Sequence, residues 1–236
     1  MTEEYSIDST LASMEQVLGV VFDNKDHLRS AITHRSYLNE HREATWEHNE
    51  RLEFLGDAVL ELVVTHYLFE KYPEKPEGEL TAVRAALVNT ISLASASDAL
   101  GVNDYLLMSK GEAKDTGRAR QYILANAFEA FIGAIYMDKG YEVARDFIAG
   151  QLFKRTEEIV DKRLWQDPKS RFQELAQEAV SVTPTYELVS QEGPDHDRVF
   201  TIGVFLKQEK VAEGQGRSKQ EAEQAAAEKA IAAKEW

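Results

Sequence analysis

The chain has 236 residues, 27 Lys and Arg against 41 Asp and Glu, a formal net charge of −14, and 43% hydrophobic residues. That length and composition suit one large or two ordinary globular domains and exclude a disordered or fibrous chain. With no cysteine, disulfides, thiolate nucleophiles and Cys-based zinc or iron–sulfur sites are excluded, so any metal must sit on oxygen or histidine. The first residues carry no basic patch followed by an apolar run, and no apolar stretch approaches the ~20 residues of a membrane span. A cytoplasmic protein with no membrane partner is therefore expected. The acidic balance, taken alone, argues against a polyanionic partner, but net charge is a sum and local patches decide.

From Thr10 to about Thr156 the apolar spacing is mostly that of helices, with breaks at Asn24, at 73–78, at Gly101 and at 111–117. This half reads as all-α. Within it, a helix running on from Asn49 through Glu61 places Leu52, Leu55, Val59, Leu62 and Val63 on one side of a helical wheel and Glu50, Glu53, Asp57 and Glu61 on the other. Like charges three and four residues apart repel, each pair costing roughly 0.2–0.5 kcal/mol, so a cation is expected to offset them. A solvated acidic face would explain the stripe alone, but not its two odd members. Phe54 lies among the carboxylates, and Gly56 interrupts a helix where it costs about 1 kcal/mol relative to Ala. Both suit a crowded contact.

A second helix, from about Arg120 to Lys139, repeats the geometry. Leu124, Phe128, Phe131 and Ile135 form its apolar side, and Asn126 and Glu129 share the opposite stripe with Ala130 and Gly133, whose small size lets another helix approach. If the two helices pack side by side, Glu53, Asp57, Asn126 and Glu129 can converge as oxygen ligands of the kind Mg²⁺ takes. Such a metal activates water and stabilises charge on a phosphoryl group. His34, His41, His48 and His66 lack the spacing of a zinc site and read as packing, capping or surface residues. No GxxxxGK[ST] motif is present, so no nucleotide cofactor is expected.

The mixed-charge run 154–163 and Asp167-Pro168 predict a helix end and a short linker, giving domains over 1–160 and 167–236 joined by 161–166. Beyond it the order is α-β-β-β-α. A helix over 170–180 halted by Pro184 precedes strands at 186–189, 199–206 and 210–213, and an Ala-rich helix closes the chain. The last 70 residues hold nine Lys and Arg against thirteen Asp and Glu, so their positive groups matter by placement. Ser218 is the N-cap of the final helix, with Glu221 completing a capping box. Arg217 and Lys219 flank that N-terminus, where free N–H groups and the helix dipole make an anion site.

His48-Asn49-Glu50-Arg51-Leu52-Glu53-Phe54-Leu55-Gly56-Asp57 resembles the signature of ribonuclease III, the double-stranded-RNA endonuclease, in its bacterial two-domain form. The resemblance extends through 33–37, 77–81, 107–112 and 123–130. The C-terminal part is similar to the double-stranded-RNA-binding domain at 167–174, at Gly193-Pro194-Asp195-His196 and at 214–219. It implies an all-α endonuclease domain followed by a small α+β RNA-binding domain, in a homodimer that hydrolyses double-stranded RNA with Mg²⁺ to leave 5′-phosphate and 3′-hydroxyl ends. Structured precursors such as ribosomal RNA are the implied substrates. Glu53, Asp57 and Glu129 take metal-binding and catalytic positions, Glu50 and Glu77 accessory acidic ones, and Phe54 the knob of the dimer interface. Gln173 and His196 are implied in two successive minor grooves, and Arg217 and Lys219 on phosphates.

Two departures follow the resemblance. The family usually has Asp where this chain has Asn126, an amide that ligates a hard cation without adding charge, so metal affinity falls and Mn²⁺ is expected to substitute. Gln220 and Glu223 stand where many relatives have lysine, so fewer phosphate contacts are expected. The alternative reading is a double-stranded-RNA-binding scaffold that does not cleave, which Asn126 favours and the retained Glu53, Asp57 and Glu129 oppose.

Overall fold

The computed structural model describes residues 2–114, 116–194 and 198–236, the side chains of 2–6 excepted. The chain divides into two compact units, Met1–Lys162 and Arg163–Trp236. The first consists of helices: α1 (Thr2–Leu18), α2 (Lys25–Ala31), α3 (Arg35–Glu40), α4 (Glu50–Lys71), α5 (Glu77–Val88), α6 (Thr90–Ala99), α7 (Arg118–Lys139), α8 (Tyr141–Leu152) and α9 (Thr156–Asp161). The second is α10 (Pro168–Val180), three strands β1 (Thr185–Glu192), β2 (Val199–Leu206) and β3 (Glu209–Gly216), and α11 (Lys219–Lys234).

Helix α7 is the centre of the first unit, and its sequence explains why. Ile123 to Ala125, Ala127, Phe128 and Ala130 to Ile135 are all buried, so its apolar surface runs nearly all round and must be covered on every side. It packs chiefly on α4 and α6, with α2 and α8 closing the remaining sides. The α4–α7 contact is close because both helices offer a glycine there. A Cβ on Gly56 would sit 1.8 Å from the Glu129 carbonyl oxygen, and one on Gly133 would sit 2.1 Å from that of Leu52. Any larger residue at either position would push the two backbones apart.

Helix α4 departs from its wheel in one respect. Leu62, expected on the apolar side, is 58% exposed, whereas Leu60 and Val64 are buried with Val59 and Val63. The buried face is centred on Gly56, Val59, Val63 and Leu60, because α7 crosses there and pulls the core toward the acidic side of the helix. Local capping follows the sequence: the Asn24 side chain caps α2, and His34 Nδ1 accepts from the Ser36 N–H at the start of α3.

In the second unit, β1–β2 and β2–β3 are antiparallel, in the order β1-β2-β3, with a bulge between Leu188 and Ser190. Phe172, Ala176, Val204, Leu206, Ala226, Ala227 and Ala230 form a core between the sheet and the two helices. Gly214 and Gly216 let β3 pass under α11, since a Cβ at Gly214 would meet the Ala226 nitrogen at 2.1 Å. One boundary differs from the sequence reading. Asp167 does not mark a helix end; its side chain accepts from the Lys169 and Ser170 N–H groups and starts α10. At its other end that helix stops at Val180 as read from the sequence, and Ser181, left-handed at φ 57°, closes the last turn ahead of Pro184.

Candidate active site

Where α4 crosses α7, the carboxylates of one face the acid and amide of the other. Glu53 and Asp57 are one turn apart on α4, and Asn126 and Glu129 are one turn apart on α7. The close glycine contact brings the two pairs together. The Asn126 amide donates a hydrogen bond to the Glu53 carboxylate. That carboxyl is nonetheless pushed above its usual range, first by burial and then by the Glu50 and Asp57 charges. Glu129 is pushed up to about 8 by burial, with Asp57, Glu53 and Glu61 adding to it.

The donors fit a hard divalent cation. All are oxygens, several bear charge, and the charges acting on Glu129 are negative, so its ionised form lacks only a positive partner. Among the described residues, no three Asp, Glu or His side chains already form a metal cage. A Mg²⁺ site does not require one, because that ion keeps several waters and takes only one or two carboxylates from the protein. With the Asn126 N–H₂ group turned to Glu53, its amide oxygen remains available as a neutral donor.

The accessory acids behave differently from each other. Glu50, at the start of α4, lies 3.5 Å from Arg35 and 3.9 Å from His48, so part of its charge is met locally. Glu77 opens α5, is exposed, and accepts a 2.9 Å hydrogen bond from the Thr81 hydroxyl. It is not among the charges that shift Glu53 or Glu129. Helical spacing placed Glu61, one turn beyond Asp57, on the acidic face but gave it no role, and its partner was not foreseen. Arg84 Nε of α5 lies 2.9 Å from Glu61 Oε2, and a terminal N–H donates to the Thr65 hydroxyl at 2.8 Å. The i+4 spacing from Asp57 was a signal for Glu61; nothing local signals Arg84.

Phe54 projects from the same helix and is 81% exposed. Beside it is a depression of about 600 Å³ whose walls include His27, Ser30, Leu52, Leu55 and Met137. A large apolar side chain and a hollow are thus both open on the same face of the unit.

In the second unit Gln173 is exposed on α10, and Arg217 and Lys219 are exposed at the start of α11. His196 lies outside the described residues. Ser218 Oγ accepts from the Glu221 N–H at 3.1 Å, while the Glu221 carboxylate accepts from the Arg217 N–H at 2.9 Å. The capping box is thus shifted by one residue at its return arm. Glu223 pairs with Lys169 at 2.5 Å, so this carboxylate consumes a cation as well as supplying none.

The family model described as Ribonuclease-III-like matches residues 24–156, and that of the Double-stranded RNA binding motif matches 168–233. The protein named Ribonuclease 3 of Carboxydothermus hydrogenoformans is 46% identical over 94% of each chain, and that of Bdellovibrio bacteriovorus is 43% identical over 95% of this chain and 96% of its own. The nuclease domain of Ribonuclease III from Campylobacter jejuni is similar in structure, with TM-score 0.53 and 41% identity, covering 61% of this chain and 94% of that one. With a helical unit matched to the nuclease and an α-β-β-β-α unit matched to the RNA-binding motif, the chain belongs to the ribonuclease III family of double-stranded-RNA endonucleases.

Proposed function

We propose that the acidic crossing of α4 and α7 is the cleavage centre, and that it works with Mg²⁺. The observation that carries this reading is Glu129, whose carboxyl is pushed up to about 8 among Asp57, Glu53 and Glu61. Such a cost to the bare site is offset when a cation is held there. A bound divalent ion supplies activated water and neutralises charge on the phosphate. Glu129 and Glu53 would hold it, Asn126 would offer its amide oxygen, and Asp57 would accept hydrogen bonds from water at the site. Hydrolysis leaves 5′-phosphate and 3′-hydroxyl ends. Structured precursors such as ribosomal RNA are the natural substrates of this chemistry.

In the second unit Gln173 is the minor-groove contact and Arg217 and Lys219 the phosphate contacts, and His196 is assigned to the next minor groove by the family resemblance alone. The first unit dimerises by seating Phe54 of each copy in the hollow of the other. The nuclease domain of Ribonuclease III from Campylobacter jejuni has a region involved in dimer formation, which supports that reading. Incubation with long double-stranded RNA tests the proposal. Fragmentation in Mg²⁺ and none in chelator is expected; duplex left intact in Mg²⁺ but still retained by the protein would make the chain a binding scaffold instead.

A further inference from the structure

The acidic stripe of α4 runs one carboxylate past Asp57. Glu61 follows Asp57 by four residues, so the helix carries it along the same face as Glu53 and Asp57. It also acts on Glu129, whose carboxyl it helps to push upward. An ionised Glu61 left to itself would be a competing oxygen donor beside the cation.

It is not left to itself. Arg84 reaches across from α5 and engages two acceptors one turn apart on α4, with Nε on the Glu61 carboxylate at 2.9 Å and a terminal N–H on the Thr65 hydroxyl at 2.8 Å. Both charged side chains are about one-third exposed, and α5 is anchored beneath them by buried Val83 and Leu87. The planar guanidinium fork suits this double hold, which a lysine ammonium cannot reproduce with the same geometry. An ion pair of this exposure contributes little to stability, so its effect falls on the charge and shape of the site.

We propose that Arg84 is a positioning residue for the nuclease reaction, which draws Glu61 away from the cation held by Glu53, Asp57, Asn126 and Glu129 and so fixes the set of ligands. The inference rests on the assignment of those four residues as the metal site. Freed of Arg84, Glu61 adds one negative charge and one flexible ligand. The cation is then held more tightly but less well aligned with the scissile phosphate.

The full-length protein is titrated with Mg²⁺ while its thermal unfolding is followed, and cleavage of duplex RNA is measured in parallel. Arg84→Gln is expected to move the midpoint of Mg²⁺ stabilisation to about three- to tenfold lower concentration, the scale of one partly screened unit charge. Its kcat falls while KM for RNA is nearly unchanged. Adding Glu61→Gln returns both the midpoint and kcat toward wild type. A midpoint within twofold of wild type, or a double variant that is not restored, overturns the proposal. If Arg84→Gln does not fold, Glu61→Gln alone decides: with Arg84 left unopposed the midpoint must rise, and an unchanged midpoint is the contrary result. Absence of any Mg²⁺ stabilisation in the wild type would instead overturn the metal-site reading beneath it.

Discussion

Replacing Asn126 by Asp exchanges a donor for a charge at the point where α7 faces Glu53. In the metal-free protein Asn126 hydrogen-bonds the Glu53 carboxylate. A hydrogen bond to a charged group is worth about 1.5–3 kcal/mol, and an unpaired like charge adds a cost of similar size, so the bare site loses roughly 3 kcal/mol or more. For a unit of this size that lowers the melting temperature by about 6–12 °C in chelator. The penalty shrinks as pH falls, because the added carboxyl takes up a proton and regains a donor for Glu53. With Mg²⁺ the sign reverses, since the extra charge is now paired. The assay is thermal unfolding in chelator and across a Mg²⁺ titration, with cleavage measured beside it. Asn126→Asp should melt earlier without metal, reach half-maximal stabilisation at lower Mg²⁺, and cleave at lower Mg²⁺ with equal or higher maximal rate; in the wild type, Mn²⁺ should recover part of that difference. Identical melting in chelator together with identical metal dependence would refute the placement of residue 126 against Glu53 and the cation.

Glu129 gives a pH prediction. Its folded value of about 8 lies above the usual 4.5, so the stability it contributes is complete below pH 4.5 and is lost as pH rises through 8. In chelator the wild type should therefore lose stability between about pH 5 and 8 more steeply than Glu129→Gln; parallel melting curves would show that Glu129 is not in a carboxylate-rich, desolvated place. Phe54→Ala should weaken the dimer by about 2–4 kcal/mol, the usual loss for an aromatic interface anchor. Sedimentation reads it, and a wild type that is monomeric at micromolar concentration contradicts it. Lys219→Ala should reduce the dependence of log K on log salt by about one unit, equally for unrelated duplexes; an unchanged slope would remove Lys219 from the phosphate contacts.

How far the sequence could be read depended on whether a feature is local or cooperative. Gly56 was legible as a sign of close contact because glycine has no other reason to sit inside a good helix, and the Glu129 carbonyl is what occupies the space of its missing Cβ. Glu53, Asp57, Asn126 and Glu129 were legible as a group because helical spacing alone puts each pair on one face. Leu62 was misplaced because a wheel gives the angle of a residue but not the direction from which its neighbour packs, and α7 draws the core toward Gly56 and Leu60. Asp167 was read as an ending because Pro168 follows it, although Pro in the first turn of a helix and Asp before it are equally a start. Arg84 on Glu61 and Lys169 on Glu223 could not be seen at all, since each joins positions from different helices and neither leaves a periodic trace.

The central claim is that the carboxylates at the α4–α7 crossing cleave RNA held by a separate unit. Comparing wild type and Glu129→Gln on one long duplex tests it most directly, with cleavage scored in Mg²⁺ and RNA retention scored in chelator. The substitution keeps the shape of the side chain and removes its charge, so cleavage should fall by orders of magnitude while retention stays within about twofold, the binding residues lying in the other unit. Normal turnover by Glu129→Gln would contradict the account.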